Sequence, residues 1–250
     1  TIQGLMTIKW NNNILASSWV DLTGVHYSTW NRDLTRETGN VDLVGSTHLT
    51  QGITPSMDWS GSDYVITWHQ VDSPPPYSRV NFARIKENGE FNIDSTYIEE
   101  LGSSSQPQLA YSSASIGFVY FDNDNDMLFA NIASNGELLD EPIPVSYGQV
   151  SQDRIIWTGS EFMLFWVEGP INRSSLVFAA INNGRLTEKN YLSSNTNGLL
   201  DPQVVWTGSS IGVVWVEAKD DDTQCFDRID DRSGTTHCKL AVYCNILTWP

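Results

Sequence analysis

Trp206-Thr-Gly-Ser-Ser-Ile-Gly-Val-Val-Trp215-Val-Glu217 decides how the chain is read, because it recurs. A close copy, Trp157-Thr-Gly-Ser-Glu-Phe-Met-Leu-Phe-Trp166-Val-Glu168, stands 49 residues earlier. Looser copies run from Trp10 to Trp19, Trp59 to Trp68 and Tyr111 to Tyr120. Their first aromatics are spaced by 49, 52, 46 and 49 residues. Self-similarity at that period marks a repeat architecture.

Working outward, each unit reads alike. A short strand such as Pro202 to Trp206 ends on the aromatic. A polar turn follows: Asn11-Asn12-Asn13, Ser60-Gly61-Ser62 or Thr207-Gly208-Ser209. Gly and Asn tolerate the positive φ that tight hairpins demand. A strongly apolar second strand comes next, then an acid or amide: Asp21, Gln70, Asp122, Glu168 or Glu217. The third strand carries Phe82-Ala-Arg-Ile85, Phe129-Ala-Asn-Ile132 and Phe178-Ala-Ala-Ile181. Tyr27 to Trp30 and Leu240 to Tyr243 read as its degenerate versions. Asn88-Gly89, Asn135-Gly136 and Asn183-Gly184 then predict hairpins into a weak fourth strand.

Four meandering strands per repeat, without helical periodicity, predict an all-β five-bladed β-propeller with four antiparallel strands per blade. The blades fall near 1–50, 51–102, 103–148, 149–197 and 198–250, as a single domain. A lone blade cannot bury both faces, so the paired aromatics read as core between blades. The fifth unit is short after Tyr243. Its fourth strand is expected from Ile246 to Trp249, or from Thr1 to Leu5 pairing there to close the ring.

Charge narrows the function. Among 250 residues, 30 acids face 14 bases, a formal charge of -16. Too few cations remain to neutralise phosphates, which argues against nucleic acid and an anionic membrane surface. No apolar run approaches the roughly 20 residues of a membrane helix. The chain begins at Thr1 without methionine, as a mature form would. Cys225 and Cys238 bracket a polar loop and read as a disulfide, which implies a secreted, periplasmic or cell-surface protein. Three free thiols in a reducing compartment are the alternative.

The pattern Trp-x-Gly-x-x-h-h-h-Trp-x-acid, followed by h-h-x-Ala-x-h, resembles the repeats of extracellular bacterial β-propellers. Two five-bladed families bracket what that resemblance implies. Sugar-binding lectins carry one ligand site per blade. Glycosidases of the arabinanase and levansucrase type carry three carboxylates on inner strands.

First strands line a propeller's channel, so candidate sites are sought there. Three places before each aromatic stand Thr7, Ser56, Gln108, Arg154 and Gln203, all polar. They form either a ligand pocket at the channel mouth or a ring of structural hydrogen bonds. Asp58, Asp153 and Asp201 are the carboxylates near inner strands. Their registers differ and no Glu joins them, which departs from the glycosidase pattern. No nucleophile elbow is present. Asp122, Asp124 and Asp126 alternate in one loop and could offer hard oxygens to Ca²⁺, or could form a solvated turn. The favoured reading is a non-catalytic exported module binding a glycan or another hydroxylated or anionic ligand. A glycoside hydrolase using Asp58, Asp153 and Asp201 is the first alternative. The second is a scaffold with a protein partner at the face carrying Pro74-Pro75-Pro76 and the Cys-bracketed loop.

Overall fold

A computed structural model describes residues 6–21, 23–45, 55–71, 78–98, 101, 105–170, 173–196, 198–218 and 240–248. The chain divides into two compact units, Thr1–Val145 and Ser146–Pro250. The described residues form twenty strands and no α-helix. None of them belongs to a helix long and apolar enough to cross a membrane.

In the first unit, sheet 1 holds β1 (Met6–Trp10), β2 (Leu15–Asp21), β3 (Gly24–Trp30) and β4 (Val41–Gly45). Sheet 2 holds β5 (Ser56–Trp59), β6 (Tyr64–Val71), β7 (Ser78–Ile85) and β8 (Phe91–Tyr97). Sheet 3 holds β9 (Ser105–Tyr111), β10 (Ile116–Phe121), β11 (Met127–Ile132) and β12 (Ile143–Ser146). In the second unit, sheet 4 runs β13 (Val150–Trp157), β14 (Phe162–Glu168) and β15 (Ser174–Asn182). The outer edge of β15 is shared by β16 (Arg185–Leu186) and β17 (Asn190–Thr196). Sheet 5 runs β18 (Leu199–Trp206), β19 (Ser210–Ala218) and β20 (Leu240–Thr248). All pairings are antiparallel and, apart from β15 with β17, join chain neighbours, one sheet per sequence repeat.

Local chemistry explains the repeat. In all five sheets the residue after the first aromatic closes a four-residue turn. Asn11, Ser60, Ser112, Thr158 and Thr207 donate their N–H to the carbonyls of Ile14, Asp63, Ser115, Glu161 and Ser210. Their side-chain oxygens accept the N–H of those same residues. Gly61, Gly159 and Gly208 take φ near 96–98° inside these turns. Across the turn the aromatics pack, Trp59 on Tyr64 at 4.6 Å and Trp157 on Phe162 at 4.8 Å between centroids. The acid that ends the second strand is also structural. The Trp215 indole donates to Glu217 at 2.8 Å, because residues two apart share a strand face. Glu217 also accepts the Ser193 hydroxyl. Glu168 accepts Ser146 at 2.6 Å and Lys189 at 2.9 Å. Burial pushes the Glu168 carboxyl up, but these partners outweigh it and hold it low.

Register corrects the fifth repeat. The conserved step pairs the position eight after the first aromatic with the Phe of the third strand: Thr67 with Phe82, Val119 with Phe129, Phe165 with Phe178. In sheet 5 that partner of Val214 is Cys244, not a residue of Leu240 to Tyr243. The residues from Ile246 continue β20 opposite Gly212, Ile211 and Ser210, so they are not a fourth strand. The long segment before β20 displaces the count, and hydrogen bonding rather than spacing sets the register. The expected pairing of Thr1 to Leu5 lies outside the described residues, as does the Pro74-Pro75-Pro76 loop.

Apolar cores lie between sheets. Ala16, Val25 and Tyr27 of sheet 1 pack on Tyr64, Ile66 and Trp68 of sheet 2. Val65, Val80 and Phe82 of sheet 2 pack on Phe118, Tyr120 and Ala130 of sheet 3. Phe165, Leu176 and Ala180 of sheet 4 pack on Ile211, Val213 and Trp215 of sheet 5. Gly136, in the Asn-Gly turn of sheet 3, has φ +96°, and a Cβ there would stand 2.4 Å from the Phe82 ring. Gly136→Ala should therefore cost about 2–4 kcal/mol, from the left-handed backbone and the overpacked ring. Urea unfolding checks this. A loss below 1 kcal/mol would mean that Phe82 moves aside freely.

Candidate functional site

First strands lie side by side within each unit: β1 beside β5, β5 beside β9, and β13 beside β18. Alignment on the aromatic holds in all five sheets. Thr7, Ser56, Gln108, Arg154 and Gln203 sit opposite Ser18, Thr67, Val119, Phe165 and Val214. Equal register does not give them one role.

In the first unit the polar groups tie strands together. The Ser56 hydroxyl accepts the Leu109 N–H at 3.1 Å, and Asp58 accepts the Tyr111 N–H at 2.8 Å. Lys9 pairs with the other Asp58 oxygen at 2.5 Å. Backbone donors at a strand edge need partners, and these side chains supply them. Ser56 is buried, and its hydroxyl serves as a tie between first strands. Asp58 is spent the same way. Thr7 and Gln108 are half-buried on the neighbouring first strands.

In the second unit the candidates converge. Arg154 donates to the Asp201 carboxylate at 3.1 Å, and Gln203 donates to the same oxygen at 2.6 Å. Arg154 also reaches the Asp153 carbonyl at 2.7 Å. The cluster is built on two matching β-bulges, one between Ser151 and Arg154 and one between Leu200 and Gln203. Gln152 and Asp201, both five places before their Trp, take φ of 56° and 48° there. Left-handed non-glycine residues of this kind concentrate at functional sites. The Gln152 amide donates to the Leu199 carbonyl at 3.2 Å and accepts the Asp201 N–H.

Asp153 differs from its neighbours. It is 3% exposed, and its Oδ2 has no hydrogen-bond partner. Burial pushes its carboxyl up to about 7, against the weaker pull of its own backbone and of Arg154. The side chain of Asp201 is 73% exposed. The second unit thus holds both a buried carboxyl that keeps its proton near neutrality and an exposed, cation-paired carboxylate.

Sequence reasoning put Arg154 and Gln203 in a polar ring with Thr7, Ser56 and Gln108, and Asp153 and Asp201 in a carboxylate set with Asp58; the structure brings Arg154, Asp201 and Gln203 together and adds Gln152, which the sequence reading missed. The signal was present, since Gln152 and Asp201 share a position relative to Trp157 and Trp206. A bulge inserts a residue and breaks the alternation on which strand reading depends.

The Asp122 loop, expected to offer oxygens to Ca²⁺ or to form a solvated turn, closes on its own backbone. Asp122 Oδ1 accepts the N–H of Asp124 at 3.0 Å and of Asp126 at 2.9 Å, with Asn125 at φ 61°. Asn31 caps an equivalent loop, accepting from Asp33 and Thr35, with Leu34 at φ 58°. A neutral amide closes that turn equally well, so the turn needs no cation. Among the described residues no three His, Cys, Asp or Glu side chains gather as a metal site. Cys225 and Cys238 lie outside the described residues, while Cys244 is exposed and free.

No protein-family model matches the chain, and no curated protein sequence matches it. Solved structures do. CoXyl43, a GH43 β-xylosidase/α-arabinofuranosidase from a compost microbial metagenome in complex with xylotriose, aligns with TM-score 0.57 and 11% identity over 99% of this chain and 94% of that one. The GH43 endo-arabinanase from Bacillus licheniformis aligns with TM-score 0.50 and 12% identity over 98% and 93%. GH43B of the Bacteroides ovatus xyloglucan locus gives 0.58 and 10%, over all of this chain and 53% of that one. The fold is a five-bladed β-propeller. At these identities the likeness carries the architecture and not the activity. In this propeller the Gln152–Arg154 and Asp201–Gln203 cluster occupies the first strands of blades four and five.

Proposed function

We propose that this chain is a glycoside hydrolase, with Asp153 as proton donor, Asp201 as the second carboxylate, and Gln152, Arg154 and Gln203 holding sugar hydroxyls. The observation that carries this reading is Asp153, a buried carboxyl with an unpartnered oxygen that keeps its proton to about pH 7. The adjacent Arg154 donates to the Asp153 main-chain carbonyl and to the exposed Asp201 carboxylate. Two carboxyl groups in opposed environments are what glycosidic cleavage requires. Asp153 would protonate the glycosidic oxygen as the C–O bond breaks, while Asp201 takes a proton from the attacking water. The bulge at Gln152 and Asp153 must yield for that oxygen to reach the buried carboxyl. The arabinanase and xylosidase neighbours support a pentose-containing polysaccharide as substrate.

Reducing-sugar release from linear arabinan and xylan tests the reading. Asp201→Asn should lower the rate by about 10²–10⁴-fold. A wild-type chain that binds these glycans without cleaving them would favour the non-catalytic binding reading. The engagement of Asp58 by Lys9 and the Tyr111 N–H supports that second reading, because it removes one of the three carboxylates.

Export is part of the proposal, supported by the acidic composition and by the Cys225 and Cys238 spacing. Thiol titration of the unfolded, non-reduced chain should then count one thiol, Cys244. A count of three would exclude the disulfide.

A further inference from the structure

We infer that Asn183 is a site of spontaneous covalent modification, losing its side-chain amide by cyclisation onto the Gly184 nitrogen and leaving aspartate or isoaspartate in the turn between β15 and β16. The reaction needs only water. It concerns the second unit alone and is independent of the hydrolase reading.

Three Asn-Gly turns share one dipeptide and differ in what holds them. Cyclisation needs an Asn carboxamide free to swing onto the next nitrogen, and a Gly N–H free to give up its proton. In sheet 2 neither is free. Asn88 Oδ1 accepts the Glu90 N–H at 3.0 Å, and the Gly89 N–H donates to the Lys86 carbonyl at 3.0 Å. In sheet 3 the same pair of bonds recurs. Asn135 Oδ1 accepts the Glu137 N–H at 3.2 Å, and the Gly136 N–H donates to the Ala133 carbonyl at 3.0 Å. Both turns are also packed within the first unit, Gly89 against Val41 and Gly136 against the Phe82 ring.

The turn of sheet 4 is built differently. Asn182 pairs directly with Arg185, so Asn183 and Gly184 alone make the reversal, with φ of 49° and 69°. Both central residues at positive φ mark a two-residue hairpin turn. Among the described residues, neither the Asn183 side chain nor the Gly184 N–H makes a hydrogen bond. The strand beyond the turn, β16, is only Arg185–Leu186. So short an arm opens locally at small cost, which lets the carboxamide reach the nitrogen. Glycine has no Cβ to obstruct that approach.

The step balances without an oxidant or reductant. The Gly184 nitrogen gives its proton to solvent and bonds to Asn183 Cγ, closing a cyclic imide. The Cγ–Nδ2 bond breaks, and Nδ2 takes up a proton and leaves as ammonia. Water then adds to one of the two imide carbonyls and the ring opens. Breaking the new bond at Cγ gives aspartate in an unchanged main chain. Breaking the original peptide bond gives isoaspartate, whose main chain runs through Cγ and is one methylene longer. A two-residue turn has no room for that methylene, so isoaspartate should loosen the pairing of β16 with β15.

Ageing the folded protein at mildly alkaline pH, followed by peptide mapping and isoaspartyl methyltransferase labelling, tests this. Trypsin releases Asn183 in the peptide Ser174–Arg185. That peptide should gain a carboxyl, while Asn88 and Asn135 react at least ~10-fold more slowly, because each must first break two hydrogen bonds. The same chain aged in urea should react at the three sites within a few-fold of one another. Asn183→Gln, whose longer side chain closes the ring poorly, should leave the peptide unmodified. A misfolded variant would betray itself by faster reaction at Asn88 and Asn135. Equal rates at the three sites in the folded chain overturn the proposal. So does an Asn183 that stays intact in the folded chain while the urea-treated chain reacts.

Discussion

Arg84→Met is expected to lower the unfolding free energy by about 3–5 kcal/mol, the cost of stranding a buried charge. Arg84 pairs with Asp63 through Nη2 at 2.7 Å and Nε at 3.1 Å, and its Nη1 reaches the Ser134 carbonyl of sheet 3 at 3.2 Å. Asp63 is fully buried and takes further bonds from Ser60 and from Asn92 at 2.6 Å. Removing the cation leaves that carboxylate without its countercharge inside the wall between two sheets. Domains are stable by only about 5–15 kcal/mol, so this single change takes a large fraction of the total. The double variant Arg84→Met/Asp63→Leu should recover much of the loss, since neither charge then remains buried. Chemical denaturation of the four corners of this cycle checks it. A single variant within 1 kcal/mol of wild type would show that the pair carries little.

Asp153→Asn is expected to remove a pH dependence of stability and, on the proposed hydrolase reading, the cleavage of glycan. In the unfolded chain this carboxyl loses its proton near 3.8; in the folded chain it keeps it to about 7. Below about pH 4 both states are protonated and folding carries no penalty from this group. As pH rises from there to about 7, only the unfolded state releases the proton, so stability falls. Above 7 the penalty levels off near about 4 kcal/mol. Asparagine cannot titrate. Its stability relative to wild type should therefore rise by about that amount between pH 4 and pH 8, whatever the fixed cost of the buried amide. The same variant should lower glycan hydrolysis by about 10²–10⁴-fold. A gain in stability with a loss of activity is what a residue retained for chemistry produces. Parallel pH profiles for the two proteins would remove Asp153 as a proton donor.

The repeat itself fixed most of what could be read in advance. Aromatic spacing, turn residues and Asn-Gly pairs are local codes: a Gly or Asn at positive φ and a Trp opposite a Tyr act within one hairpin, so the order of residues along the chain suffices. Five sheets and their first three strands follow from that. The acid after the second Trp was visible too, but its purpose was not. Only the register shows Glu217 accepting the Trp215 indole and the Ser193 hydroxyl from another sheet.

What tertiary structure decided is which polar side chains are spent and which remain available. Ser56 and Arg154 share a position relative to their aromatics, yet Ser56 closes a backbone bond across first strands while Arg154 holds an exposed carboxylate. The two bulges that bring Gln152 beside Asp201, and bury Asp153, depend on pairing between strands. Hydrophobic alternation defines two faces and cannot say which of them another sheet will cover, because burial is a property of the partner as much as of the strand.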